Sequence, residues 1–290
     1  MLIKAFYHLI ALLPNIIAQC LGIVSGHLLS YFPNRESRVA RVNIDLCFPK
    51  FSQKERDQLV KDTLVENAKT LFEMPKIFRK GGKYALGLVS EVEGLEVYQA
   101  ALKRQKGIIL LAPHLGNWEL IVHYLNQFSP MVAMFAPPKQ IFLNDIMRKA
   151  RQSTGAILVP ADPSGVRAQL KHLKQGGVVG ILPDQLPKSG HAGVFAPFMG
   201  HSAYTMLLVN RLVKRVDATI VYAFAERLGL GKGYKIHILS APDGISSDDE
   251  VESATQLNRG VEMCVNIAPS QYQWTYKRFR KQPSGIDYYC

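Results

Sequence analysis

A chain of 290 residues is long enough for one large α/β domain with a real core, and 48% hydrophobic against 20% charged residues excludes a disordered chain. Thirty-five Lys and Arg against 23 Asp and Glu leave a formal charge of +12, which implies acidic partners: nucleic acid, an anionic membrane or an acidic protein. Nucleic acid is the weakest of these, because the one basic-aromatic run, Trp274 to Lys281, comes without a zinc finger, an RNA-recognition motif or a helix-turn-helix. Cys20, Cys47, Cys264 and Cys290 form no CxxC pair, so reduced thiols and a cytoplasmic-facing body are expected.

From Ala5 to Asn34 there is no charged side chain. As one helix that run would reach about 45 Å, more than a bilayer core requires. Pro14, Asn15, Gln19, Gly22, Gly26 and Ser30 fall three and four apart and form a small, polar stripe beside a Leu/Ile-rich face. The pattern fits a spanning helix packed through its small side, or a helix lying in the membrane interface. Pro14-Asn15 inside the run and the lack of an A-x-A site argue against a cleaved signal peptide. Residues 1–33 are therefore expected to be a membrane anchor and residues 34–290 a single further domain. Arg35, Arg38 and Arg41 follow the run while Lys4 alone precedes it, which places the body on the cytoplasmic side, next to anionic headgroups.

Ser52 and Glu55 form a capping box, and the apolar periodicity behind it predicts a long amphipathic helix ending before Pro75. A short strand is expected near Val89 to Glu93 and a helix from Leu95 to Lys103. Strands and helices then alternate: "GIILLA", "MVAMFA", "AILVP" and "GVVGILP" are short all-apolar runs separated by helical segments. Such runs mark strands covered on both faces, and the alternation predicts a single α/β sandwich domain with a mostly parallel central sheet. Gly229 to Gly233, "GLGKG", lacks P-loop spacing and reads as the tip of a hairpin. A last helix is expected around Val251 to Ile267, before the basic, aromatic tail.

In open α/β sheets the reactive groups collect beyond the carboxyl ends of the strands. Two polar clusters sit there: "PHLGNWE", containing His114, Gly116, Asn117 and Glu119, and "PDQ", containing Asp184 and Gln185. A lone histidine is often only a buried, hydrogen-bonded core residue. With Glu119 in the first turn of the next helix, however, a carboxylate can fold back on one imidazole nitrogen and leave the other as a general base. Gly116 permits the tight turn and Asn117 can cap the helix. Glu119 and His123 are four apart, but there is no HExxH and no third ligand, so no metal is expected. Without G-x-S-x-G a serine hydrolase is not indicated either.

The His114–Glu119 spacing resembles the H-x4-D/E signature of the glycerolipid acyltransferase superfamily. Four further blocks, "RVNIDLCFPKFSQKER", "ILPDQ", "GVFAPFMGHSAYT" and "QYQWTYKRF", are similar to the late acyltransferases of lipid A biosynthesis. The resemblance, which covers most of the chain, implies transfer of a fatty acyl group from acyl carrier protein to a hydroxyl of a Kdo-bearing lipid A precursor, at the cytoplasmic side of the inner membrane. His114 would be the base and Glu119 its orienting partner. Backbone N–H groups at the helix start and Arg151 would serve the oxyanion, while Asp184 and Gln185 would position the substrate or the surroundings of His114. No cofactor is implied. The anionic acceptor and the acidic carrier both match the basic charge. Glu119 in place of aspartate and the absence of an E-G-T-R-S block depart from the glycerol-phosphate branch; Phe195 to Thr205 is expected to be a hydrophobic, substrate-lining loop. Another glycerolipid acceptor, a membrane-attached thioester hydrolase using the same dyad, and a non-catalytic membrane-binding module remain as alternatives.

Overall fold

The structure is a computed structural model that describes residues 2–187 and 192–290; Met1, with which the expected anchor begins, lies outside them. The apolar N-terminal run is two helices, α1 (Leu2–Ile10) and α2 (Asn15–Tyr31). Pro14 breaks it: proline forces the preceding residue out of helical geometry and has no amide with which to bond back to Ile10. A third helix, α3 (Arg35–Cys47), leaves α2 at 79°. Among the described residues no single helix is long and apolar enough to cross a membrane. The expectation of one anchor helix over residues 1–33 is corrected accordingly.

The small stripe of α2 does pack, but on the protein's own body. Ala18, Gln19, Gly22 and Gly26 are buried against α4 (Gln53–Lys80). A Cβ on Gly22 would stand 2.5 Å from the Cα of Lys69, and one on Gly26 2.4 Å from the Cα of Val65, so only glycine allows the two helices this close. The other side leaves Ile16, Ile17, Leu21, Val24 and Leu28 exposed, and α1 adds Ile3, Phe6 and Leu9. Helix α4 opens with the reciprocal Ser52–Glu55 cap, as its sequence predicts, but it continues through Pro75 to Lys80. Pro75 removes only the bond to the carbonyl of Leu71, a residue 71% exposed, where water can take the lost partner's place.

Then follow α5 (Gly82–Leu86), β1 (Val89–Glu93), α6 (Leu95–Lys103), β2 (Ile108–Leu111), α7 (Glu119–Leu125), β3 (Met131–Phe135), α8 (Ile141–Gln152), β4 (Ile157–Pro160), α9 (Pro163–Lys174) and β5 (Val178–Ile181). After β6 (Gly193–Phe198), β7 (His201–Met206) and α10 (Leu208–Val213) come β8 (Thr219–Arg227), β9 (Tyr234–Ser240) and α11 (Glu250–Ile267). Seven strands form one sheet in the order β1-β9-β8-β2-β5-β3-β4. Every pairing in it is parallel except β8–β9, the hairpin expected around Gly229 to Gly233. The mostly parallel α/β sandwich is therefore as the sequence predicts. Strand β2 shows why its run is all apolar: Ile108 and Leu110 face the core under α5, α6 and α7, whereas Ile109 and Leu111 face the core shared with α3, α4 and α11.

The segment Phe195 to Thr205 is not a loop. It lies in the antiparallel β6–β7 hairpin, a separate two-stranded sheet. Met199 and Gly200 both take positive φ, as a two-residue turn of the mirror-image type requires. Pro197 hides the strand in sequence, yet it is exposed on a strand paired with a single neighbour, where a missing amide is tolerated.

Candidate active site

Strands β2 and β5 are parallel neighbours in register, Leu111 opposite Ile181. The segments that leave them carry His114 and Asp184 out side by side, each three residues beyond the paired positions. One carboxylate then holds the histidine twice: Asp184 Oδ2 accepts the His114 backbone N–H at 2.9 Å, and Oδ1 lies 2.8 Å from Nδ1. Both residues are buried. Burial alone would raise the Asp184 pKa, but the His114 charge and these hydrogen bonds outweigh it and hold the group below the usual carboxylate range. A carboxylate can only accept, so Nδ1 carries the proton and Nε2 offers its lone pair. The Gln185 amide nitrogen stands 3.2 Å from that Nε2 and satisfies it as a donor.

Glu119 goes elsewhere. Its two oxygens take the guanidinium fork of Arg151 from α8, Oε2 from Nε at 2.9 Å and Oε1 from Nη2 at 2.5 Å. The direct Glu119–His114 hydrogen bond expected from the spacing is therefore not made. The turn at Gly116 sends His114 toward β5, while the start of α7 delivers Glu119 toward α8. The carboxylate is buried, which raises its pKa, but the Arg151 charge and hydrogen bonds outweigh that and lower it; His123 and His114 add smaller effects of the same sign. Glu119 thus remains in the electrostatic field of His114 without touching it through a hydrogen bond. Arg151 also lies over the ring of Phe135, 5.5 Å from its centroid.

Gly116 has the conformation the sequence predicts for it: φ is +60°, and a Cβ would come within 1.9 Å of the Ala225 carbonyl. Asn117 does not cap α7. Trp118 holds the cap position without a side-chain bond, and the Asn117 side chain donates to the Tyr234 hydroxyl at 3.3 Å. The amides of Gly116 and Asn117 are bound to the carbonyls of Gln271 and Ala225, each at 3.0 Å. Those of Trp118 and Glu119 have no acceptor among the described residues, so they are the helix-start donors still open to an oxyanion.

Several neighbours carry no local signal of their own. Trp118 lies against the His114 ring at 4.9 Å between centroids. The Gln273 amide donates to the His114 carbonyl at 3.0 Å, and the Tyr272 phenol is buried, its pKa pushed up by that burial and further by the Asp184 charge. Both belong to the "QYQWTYKRF" block, and only the family likeness of that block points to them. His123 pairs with the Thr154 hydroxyl at 3.1 Å, and no group of three His, Cys, Asp or Glu able to hold a metal occurs among the described residues. Beside the site, at the carboxyl ends of β3 and β4, an open cleft of about 440 Å³ is lined mainly by apolar residues, Phe135, Ala136, Pro137, Leu158 and Val159 among them, together with Arg148 and Asp162.

The chain matches the model of the bacterial lipid A biosynthesis acyltransferases over residues 1–281. It belongs to that family. It is 26% identical over 279 residues to the lipid A biosynthesis lauroyltransferase of Escherichia coli (strain K12), which covers 96% of this chain and 90% of the relative. A lipid A biosynthesis acyltransferase of Haemophilus influenzae is 28% identical over 274 residues, 93% of this chain and 82% of its own. The lipid A biosynthesis palmitoleoyltransferase of Escherichia coli is 25% identical over 282 residues, covering 94% and 88%. Family membership makes the protein an acyltransferase. Relatives named for different acyl chains lie at nearly equal identity, so the likeness does not select a chain length.

Proposed function

We propose that the protein transfers a fatty acyl group from acyl carrier protein to a hydroxyl of a Kdo-bearing lipid A precursor, with His114 as general base. One observation carries the reading: Asp184 holds His114 in the tautomer whose Nε2 accepts a proton, beyond the carboxyl ends of two central parallel strands, where open α/β sheets bind ligands. The acceptor hydroxyl displaces the Gln185 amide from Nε2, gives up its proton there and attacks the thioester carbonyl. The tetrahedral oxyanion is met by the open amides at the start of α7 and by the Arg151 charge. As the C–S bond breaks, the imidazolium returns its proton to the departing thiolate. Asp184 stays ionised throughout and stabilises the imidazolium; the Glu119 charge acts on it at longer range. The donor's acyl chain has the apolar cleft at β3 and β4 to enter.

The reading includes the cytoplasmic face of the inner membrane as the place of action. Support comes from the exposed apolar side of α1 and α2, which suits a helix pair lying in the interface, and from Arg35 and Arg38 close by. The experiment is a reaction with acyl-carrier thioester, with and without the lipid precursor, followed by mass spectrometry of the lipid. An acyl-ester mass increment and acceptor-dependent thiol release are expected, both lost in folded His114→Ala protein. Thiol release that ignores the acceptor would identify a hydrolase instead.

A further inference from the structure

One cluster of buried charge lies outside the proton-transfer step. Arg227, at the end of β8, is 1% exposed in its side chain. Its Nε reaches both Glu73 oxygens, at 3.0 and 3.1 Å, and Nη2 reaches Oε2 at 2.5 Å. Nη1 binds Glu66 at 2.6 Å, and Nη2 also donates to the Thr70 hydroxyl at 2.7 Å. Glu73 is itself fully buried and accepts the Gln19 amide of α2 at 2.8 Å. A buried ion pair of this kind is about as stable as well-packed apolar residues in its place, or less so. Stability alone therefore gives no reason for it. Geometry does.

Two paths run from Arg227 to the turn that carries His114. On one, the Thr70 hydroxyl that Arg227 holds shares its proton between the Glu66 carbonyl of its own helix at 3.1 Å and the Gly116 carbonyl at 3.3 Å. On the other, the Gln271 side chain clasps the Arg227 backbone, accepting its N–H and donating to its carbonyl, both at 2.8 Å. The carbonyl of the same Gln271 accepts the Gly116 N–H at 3.0 Å. Both backbone polar groups of Gly116, two residues after His114, thus meet partners that touch Arg227, Thr70 through its guanidinium and Gln271 through the main chain that the guanidinium anchors.

We propose that Arg227 is a positioning residue for the catalytic turn, acting through Thr70 and Gln271, with Glu73 and the Gln19 amide of α2 completing its seat. The N-terminal helix pair then belongs to the active-site scaffold as well as to the protein's surface. The inference rests on the acyl-transfer reading, and its test has a readout that needs no turnover.

The test pairs Arg227→Met with Glu73→Gln. Arg227→Met alone leaves a buried carboxylate uncompensated and melts early. The double variant removes both charges, while Glu66 keeps its Lys69 partner, and it melts close to the wild type. Its kcat is nonetheless expected to fall on the order of 10²-fold, the cost of a small misplacement of reacting groups, with KM for the thioester unchanged. The His114 ring proton resonance, assigned by its loss in His114→Ala, shifts in the double variant. Arg227→Lys keeps the charge but cannot hold Glu66, Thr70 and Glu73 together, so it gives the same kcat loss in a folded protein even where the double variant does not fold. Gln19→Ala gives a smaller loss in kcat. A folded double variant or Arg227→Lys protein with wild-type kcat and an unshifted His114 resonance overturns the proposal. Absence of acyl transfer in the wild type itself would instead sink the acyl-transfer reading, and the resonance alone then decides the positioning role.

Discussion

Asp184 takes the backbone amide of His114 on one carboxylate oxygen and the ring Nδ1 on the other, so it sets the place, orientation and tautomer of the histidine together. Asp184→Asn keeps the shape and offers the ring an amide N–H in place of an acceptor, which favours the tautomer with its lone pair on the wrong nitrogen. Turnover is expected to fall by roughly 10²–10⁴-fold, the reach of general-base catalysis, with the Asp184→Asn/His114→Ala double variant little worse than either alone. Initial rates at saturating thioester and acceptor, alongside thermal melts, measure this. Losses that multiply would show that the two residues act separately.

Glu119 and Arg151 should behave as a buried ion pair as well as part of the site. Glu119→Gln strands the guanidinium and is expected to cost about 3 kcal/mol or more, read from denaturant midpoints. Adding Arg151→Met should restore most of that stability. Turnover should stay low in the double variant, because both the Glu119 charge proposed to act on the imidazolium and the Arg151 charge proposed to meet the oxyanion are missing. Full turnover in it would remove both residues from the chemistry and leave them a structural ion pair.

Arg148 and Arg151 share α8 but differ in commitment. Arg148 is exposed and lines the cleft without a carboxylate partner among the described residues, whereas Arg151 is locked to Glu119. Arg148→Ala should slow encounter with an acidic carrier at low salt and have little effect at high salt, where such steering is screened. Arg151→Ala should lower the rate at every ionic strength. A kcat/KM series against salt separates them, and parallel curves would refute the distinction.

His123 supplies a pH dependence of stability. Its burial disfavours the charged form and lowers its pKa, outweighing the opposing pull of Glu119. In the unfolded chain the ring takes a proton near pH 6.5, while the folded protein holds it neutral to lower pH. The unfolded state binds more protons in that window, so the contribution is complete above about pH 6.5 and is lost as pH falls from there through the folded pKa. The melting temperature should therefore decline from pH 7 toward 5.5, and His123→Gln should remove that part of the slope. A variant with an unaltered slope would assign the decline to other groups.

Much of the fold was legible because its signals are local. The all-apolar runs of β2, β3 and β5, the Ser52–Glu55 cap and the hairpin at Gly229 to Gly233 each depend on steric and periodic constraints within a few residues. The turn at Gly116 is of the same kind, since no side chain fits against the Ala225 carbonyl. Pro14 is legible too, but its effect is not: the length of the uncharged run does not show whether one proline splits it, or which helix its glycines will touch. Only α4, packed on Gly22 and Gly26, decides that. The partner of His114 lay beyond any local rule. Asp184 is 70 residues away in sequence and meets the histidine because β5 inserts beside β2 in one particular register. Arg151 draws Glu119 off across 32 residues for a similar reason: a buried carboxylate pairs with whichever cation the packed helices bring within reach.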